Sequence, residues 1–251
     1  MTYLLAGAAA LLLLAVVASR VAARRRVRRA ARSIRSTMQA IYSGPHTYRE
    51  VSLGDFPNLD KAFYEEKTGE FAALDFSFLG DVEDVTVNRA QIGEPTAVRT
   101  MLSEDRTVLG FVYHVEAGGQ TAKVVELETV LDDGRFLMTS NGKAAAPMNM
   151  PPEIDWQYHP GDHVGALVQA HRTRLRDRLA VAEGARPVAV TTVAELIEHQ
   201  RHMDEIKARF RKGQPTLVTR EELQRMGGPE RFSTANDVAT AMERDARRGG
   251  A

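Results

Sequence analysis

Hydrophobic and polar positions alternate with three different rhythms along this chain. Tyr3–Ser19 is a run of seventeen residues without a charge. Beyond it, Val27, Ala31, Ile34, Met38 and Ile41 recur at helical spacing and predict a helix to Tyr42, stopped by Ser43-Gly44-Pro45. Leu59–Thr68 reads as a short helix before Gly69. The rhythm then shortens to two, predicting strands over Phe71–Leu79, Thr96–Leu102, Thr107–Glu116, Thr121–Leu131 and Arg135–Ser140. Val82, Val85, Val87 and Ile92 suit a further extended piece, as does Ile154–His159. Helical spacing returns at Val164, Leu167, Val168, Leu175 and Leu179, behind Asp162 as cap. Thr192 with Glu195 forms a capping-box pattern for a helix to about Arg211, and Thr219 with Glu222 repeats it for a short helix ending at Gly227-Gly228. Ser233–Arg247 reads as a loose helix on a mobile tail.

Strands followed by helices, without strict alternation, indicate an α+β fold. The expected architecture is an N-terminal transmembrane helix, then an antiparallel β-meander with helices packed on one face, then a helical C-terminal part. The expected divisions are a membrane anchor (1–19), a basic juxtamembrane helix (20–45), an α+β domain (46–183), a helical extension (184–228) and a flexible tail (229–251).

Charge sharpens the reading of the N-terminus. Arg20, Arg24, Arg25, Arg26, Arg28, Arg29, Arg32 and Arg35 follow the apolar run, and no Asp or Glu precedes Glu50. Without these eight arginines the chain carries 25 basic against 33 acidic residues, so overall neutrality conceals a basic collar on an acidic body. A cleaved signal peptide wants a positive n-region, and only Met1 and Thr2 precede the run. A buried core helix fits poorly beside so many arginines. A retained single-pass anchor is expected, with the N-terminus outside and the rest in the cytoplasm at the cell (inner) membrane. The collar then meets anionic lipid headgroups of the bilayer, and no nucleic acid is expected. The narrow apolar stripe of the juxtamembrane helix also suits pairing into a homodimer.

Several of these segments resemble a known pattern. Leu79-Gly80-Asp81, Glu126-Leu127-Glu128-Thr129, Asp133-Gly134, Leu137 and Thr139-Ser140-Asn141 are similar to an ELxTxxxDGxxLxTSN-like hairpin in a group of uncharacterised bacterial proteins. Val218-Thr219-Arg220-Glu221-Glu222-Leu223 resembles their C-terminal piece. The likeness spans Phe71 to Leu223. The group has no assigned activity, so the resemblance lends support to the fold and implies no mechanism.

Candidate chemistry comes from strand register. A three-residue loop at Gly118–Gln120 pairs Phe111 with Leu127 and Tyr113 with Val125. A two-residue Asp133-Gly134 turn pairs Leu131 with Phe136 and Thr129 with Met138. Leu109, Phe111, Tyr113, Val125, Leu127 and Met138 then share a buried face, and His114, Glu126, Glu128, Thr139 and Asn141 share the other. Two carboxylates, an imidazole, a hydroxyl and an amide have the chemistry to bind a cation or polar ligand. The same positions suit the wet side of a half-exposed antiparallel sheet, which is the reading that rule favours.

Other motifs are weaker. His159 and His163 flank Pro160-Gly161, which breaks the continuous helix that would align them on a metal. His199 and His202, near Glu195 and Glu198, fall within the Leu196–Met203–Ile206 stripe and suit packing. No GxxxxGK[ST], GxSxG, HExxH or GxGxxG sequence occurs, and the absence of cysteine removes thiol chemistry. Neither cofactor nor metal is expected. The favoured function is a non-catalytic ligand- or partner-binding domain. The alternative is a hydrolase or metal-dependent enzyme built on His114, Glu126 and Glu128.

Overall fold

Seven strands lie in one sheet in their sequence order, β1 Tyr48–Val51, β2 Phe76–Asp84, β3 Val98–Ser103, β4 Leu109–Ala117, β5 Gln120–Val130, β6 Phe136–Ser140 and β7 Ile154–Tyr158. The structure is a computed structural model that describes Ala23 and residues 25–90, 93–117, 120–142, 148–181, 184–214, 216–227 and 232–249. Neighbouring strands from β1 to β6 pair antiparallel, while β7 joins β6 in parallel. The helices are α1 (25–41), α2 Lys61–Ala72, α3 Val85–Arg89, α4 Val164–Val181, α5 Val193–Lys212, α6 Arg220–Gly227 and α7 Phe232–Gly249. Two compact units result, one Ala40–Gly213 and the other formed by the residues up to Gln39 with those from Gln214 onward.

In the Ala40–Gly213 unit both faces of the sheet are covered. Phe63, Tyr64 and Phe71 of α2 and Leu167 and Val168 of α4 pack on Met101, Val112, Val125 and Leu127. On the opposite face, Leu196 of α5 packs with Val82, Leu102, Leu109 and Phe111. Met203 and Ile206, further along α5, meet Val130, Phe136, Met138 and Ile154. Covering both faces explains why β6 is buried throughout and β5 is buried from Val124 to Val130 at every position but Glu126. The Thr192–Glu195 capping box opens α5 as its spacing predicts. The first amide of α4 donates instead to Glu70 of α2, at 2.9 Å, so that start is anchored across the layer.

The pairing of β5 departs by one residue from expectation on both sides. The β4–β5 ladder reaches Ala117↔Gln120, a shorter connection than three residues, and places Phe111 opposite Glu126. The β5–β6 connection is longer than the expected two-residue turn. Leu131 accepts from the Gly134 amide at 3.0 Å and its own amide donates to Arg135 O at 2.8 Å. Gly134 has φ of 80°, the left-handed residue that closes a three-residue hairpin loop. Thr129 therefore lies opposite Leu137, and Val130 opposite Phe136.

Further corrections concern the elements themselves. The helices lie on both sheet faces, because α5 belongs to the Ala40–Gly213 unit rather than to a separate extension. The meander is not wholly antiparallel, since β7 runs with β6. Val85–Arg89 is helical, started by Asp84 whose side chain accepts from the Val87 amide, whereas its valines pointed to a strand. Phe232–Gly249 is an ordered helix rather than a loose tail, and Tyr48–Val51 is a strand that the pattern did not reveal.

The membrane reading is also corrected. Among the described residues no helix is long and apolar enough to cross a membrane. The expected span Tyr3–Ser19, with Arg20 and Arg24, lies outside those residues. The helix that is described nearest to it, α1, presents Arg25, Arg26, Arg28, Arg29 and Arg32 outward, a charge density no apolar span tolerates. The single-pass anchor, the orientation and the inner-membrane localisation built on it are not supported.

In the second unit, Ala31 of α1 is buried with Val218 and Leu223 around α6 and with Ala235, Val238, Ala239 and Met242 of α7. Val27, Ile34 and Met38 pack against the same cluster, so the stripe on α1 is occupied within the chain. Arg220 ties α6 to α7, donating to Glu243 at 2.8 Å, to Thr240 at 3.2 Å and to Asn236 at 3.1 Å.

Gly110 tests the α2 layer. A Cβ there would stand 2.5 Å from the Phe71 ring, which the buried position of Phe71 leaves little room to yield. Gly110→Ala is expected to destabilise the protein by about 1–3 kcal/mol through overpacking. Urea denaturation of the full chain measures this, and an unchanged midpoint would mean that Phe71 does not seat against β4.

Candidate functional site

Alternation along β5 sends Val125, Leu127 and Thr129 toward α2 and α4, and Glu126, Glu128 and Val130 toward α5. The two carboxylates thus enter the layer between sheet and helix. Gln200, one turn beyond Leu196 on α5, donates its amide to both Glu128 oxygens at 3.0 and 3.1 Å. Glu128 is 1% exposed. Burial pushes its carboxyl up to about 7, the Gln200 bond offsets part of that, and the neighbouring Glu126 adds to it. Burial likewise holds Glu126 above the usual carboxylate range.

A second polar group borders the first. Tyr48 of β1 donates its hydroxyl to Asp204 Oδ2 at 2.7 Å, and the His46 amide donates to the same oxygen at 3.3 Å. The His46 ring meets Asp84 Oδ2 through Nδ1 at 2.6 Å and the Ile41 carbonyl through Nε2 at 2.7 Å. Both ring nitrogens face acceptors, the arrangement of an imidazolium. Burial alone depresses the His46 pKa, but the Asp84 bond and the charges of Asp204 and Asp84 hold it above the ordinary value. Burial raises Asp204, and it raises Tyr48 with Asp204 adding to the effect.

Between these groups and the apolar part of α5 lies a cavity of about 160 Å³, lined by Tyr48, Val82, Asp84, Val98, Thr100, Phe111, Tyr113, Glu126, Leu196, Ile197 and Gln200. Thr100 is fully buried, and its hydroxyl has no hydrogen-bond partner among the described residues. An orphaned buried hydroxyl is uncommon in a native structure and calls for a partner. Glu126 and Tyr113 lie deep in the protein yet are not fully closed off, and both line the cavity.

The five sequence-derived candidates do not converge. Glu126 and Glu128 share the α5 face, but His114 and Thr139 lie on the opposite face, where the corrected register puts them. His114 is buried, and its Nδ1 accepts the Asp60 amide at 3.3 Å. Thr139 clamps a buried histidine that the pattern did not single out as a site. His171 of α4 bridges Thr129 Oγ1 through Nε2 and Thr139 Oγ1 through Nδ1, each at 3.0 Å. Asn141 continues the β5 ladder, its Oδ1 accepting the Val125 amide at 2.8 Å and its own amide donating to Val125 O. No group of three or more His, Asp or Glu among the described residues is disposed to hold a metal ion. His163 is exposed beside Glu70, and His202 lies against the Phe136 ring. Gln200, Thr100, Tyr48 and Asp204 escaped sequence reasoning, because none belongs to a motif and their meeting depends on where α5 docks.

Two buried groups on opposite faces give opposing pH dependences. Burial depresses His171 to about 3, so from pH 6.5 down to about 3 the unfolded chain binds the extra proton and stability falls as pH falls. Glu128 is raised from 4.5 to about 7, so across that window the folded state binds the extra proton and stability falls as pH rises. Above that window Glu128→Gln is expected to exceed the native protein in stability by roughly 3 kcal/mol, the difference vanishing below the ordinary carboxyl range. Its acid limb, carried by His171, should persist. Urea melts of both proteins across this pH range measure the two limbs separately, and parallel curves would place Glu128 in solvent.

No family model matches the chain, and neither a curated protein nor a solved structure matches it, so its functional reading rests on the geometry of the site.

Proposed function

We propose that the Ala40–Gly213 unit is a non-catalytic ligand-binding domain whose ligand occupies the cavity between α5 and the sheet. The observation that carries this reading is the fully buried Thr100 hydroxyl, unpartnered among the described residues, in the wall of a cavity of about 160 Å³. Polar groups there converge from β1, β2, β3, β5 and α5 on a wall otherwise made by Val82, Val98, Phe111 and Leu196. An apolar pocket with a few convergent polar groups is the usual form of a small-molecule site. The competing enzyme reading needs His114 beside Glu126 and Glu128, and the sheet stands between them. The acid–base pairs that are present, His46 with Asp84 and Tyr48 with Asp204, are spent on one another.

A neutral probe of matching size tests the cavity. Titrating isobutanol into the full chain is expected to give saturable NMR shifts centred on Thr100, Phe111 and Leu196. Val98→Phe, which fills the space, should abolish them. Shifts that scatter over the surface, or survive the filling substitution, would overturn the reading.

A further inference from the structure

The chemistry of the cavity wall selects among small molecules. Its charged residues are Asp84 and Glu126, and no lysine, arginine or histidine is among the lining residues. Behind the wall stand two more carboxylates, Glu128 held by Gln200 and Asp204 held by Tyr48. Among the described residues two cations act on this layer. His46 is committed to Asp84 at 2.6 Å, with Asp204 at 3.7 Å, and Lys207 of α5 acts on Glu126, Glu128 and Asp204 through its charge without lining the cavity. The interior therefore carries more carboxyl groups than cations to balance them.

Three aromatic rings, Tyr48, Phe111 and Tyr113, share the wall with those acids. Aromatic faces with a carboxylate form a favourable setting for an organic ammonium, which gains from both the ring quadrupole and the charge-assisted bond. We infer that the cavity takes a small amphipathic monocation, a primary or secondary alkylammonium of about six heavy atoms at most, the scale of ligand that a cavity near 150 Å³ admits. Its ammonium donates to Glu126 and to the Thr100 hydroxyl, and its alkyl part lies against Val98, Phe111 and Leu196. Thr100 then gains the donor its oxygen lacks, and Glu126, which Ser140 and the Lys207 charge already stabilise in part, gains a cation inside the cavity. An anionic or zwitterionic ligand would bring a second negative group into the same layer, which the wall has no cation to receive.

This inference rests on the proposed binding role, and one titration series separates the two. The full chain is titrated at about pH 8 with isobutylamine, present as its ammonium, and with isobutanol, its neutral counterpart of nearly the same size. The ammonium is expected to bind at least about tenfold more tightly, the scale of one hydrogen bond to a charged group. Glu126→Gln should remove that preference. Equal affinity for both probes in the native protein overturns the ammonium inference while the cavity reading stands. Binding of neither probe overturns both. Should Glu126→Gln fail to fold, the native protein is compared as pH is lowered into the carboxyl range, where Glu126, whose burial holds its carboxyl above the usual range, takes up a proton and the preference should shrink. An undiminished preference there would show that another group holds the cation and would overturn the assignment.

Discussion

The pairing of β5 with β4 and β6 determines to which helix layer Glu126, Glu128 and Thr129 belong. Side chains alternate with a period of two, so a slip of one residue moves a strand's whole set to the other face. In this sheet neither face is open to water, because α2 and α4 cover one and α5 the other. A polar residue of β5 beyond Lys123 therefore has little solvated side to occupy and finds its partner in one of two helix layers. Thr129 finds His171 of α4, and Glu128 finds Gln200 of α5. Glu126, two residues before Glu128, meets the cavity.

The two layers treat polarity differently. Against α4, the Thr129–His171–Thr139 chain is neutral, and both ring nitrogens are engaged. Arg174, whose charge also disfavours a protonated His171, donates to Thr139 and to the main chain of β6 and β7. Such a fully satisfied network fixes geometry and leaves nothing for a ligand. Against α5, the groups are acids whose burial is only partly compensated, beside a hydroxyl without a partner among the described residues. Incomplete satisfaction destabilises a fold when nothing fills it, and the same deficit is what a bound donor relieves. The Thr129–His171–Thr139 network is thus closed and the α5 layer open, while His114 Nε2 on the α2 side is likewise buried without a partner among the described residues.

How much of this was legible beforehand depended on the range of the interaction. Local signals succeeded. The Thr192–Glu195 capping box, the apolar stripe of α5 and the strong strands around Phe111 and Leu127 all stand close to where their spacing placed them. Failures began where a local signal was weak against a longer-range one. Asp133-Gly134 is a two-residue turn signal, but Gly134 serves equally well as the left-handed residue of a three-residue loop, and the packing of Val130 and Phe136 on α5 accompanies the longer form. Val85 and Val87 read as extended until Asp84 caps a helical turn over them. The α1 stripe reads as a seam open to another protomer because Val218 and Met242, more than 170 residues away in sequence, are invisible in its own rhythm.

The polar face shows why the site itself was half legible. Glu126 and Glu128 were identifiable as an unusual pair on one side of a strand, and that side remained common to both. Whether it was wet depended on α5, whose sequence advertises one apolar stripe but not which of two sheet faces receives it. Leu196, Met203 and Ile206 meet apolar residues from β2 to β7, a surface spread across the whole sheet rather than coded in any one strand. Once α5 docks there, Gln200 necessarily arrives over Glu128, since it sits one turn from Leu196 on the same side of the helix. The acids are buried as a consequence of the apolar contact, not by any preference of their own. That order of causes accounts for the cavity: hydrophobic packing at the two ends of α5 carries the helix over β4 and β5, and the acidic stretch between is enclosed before it is satisfied.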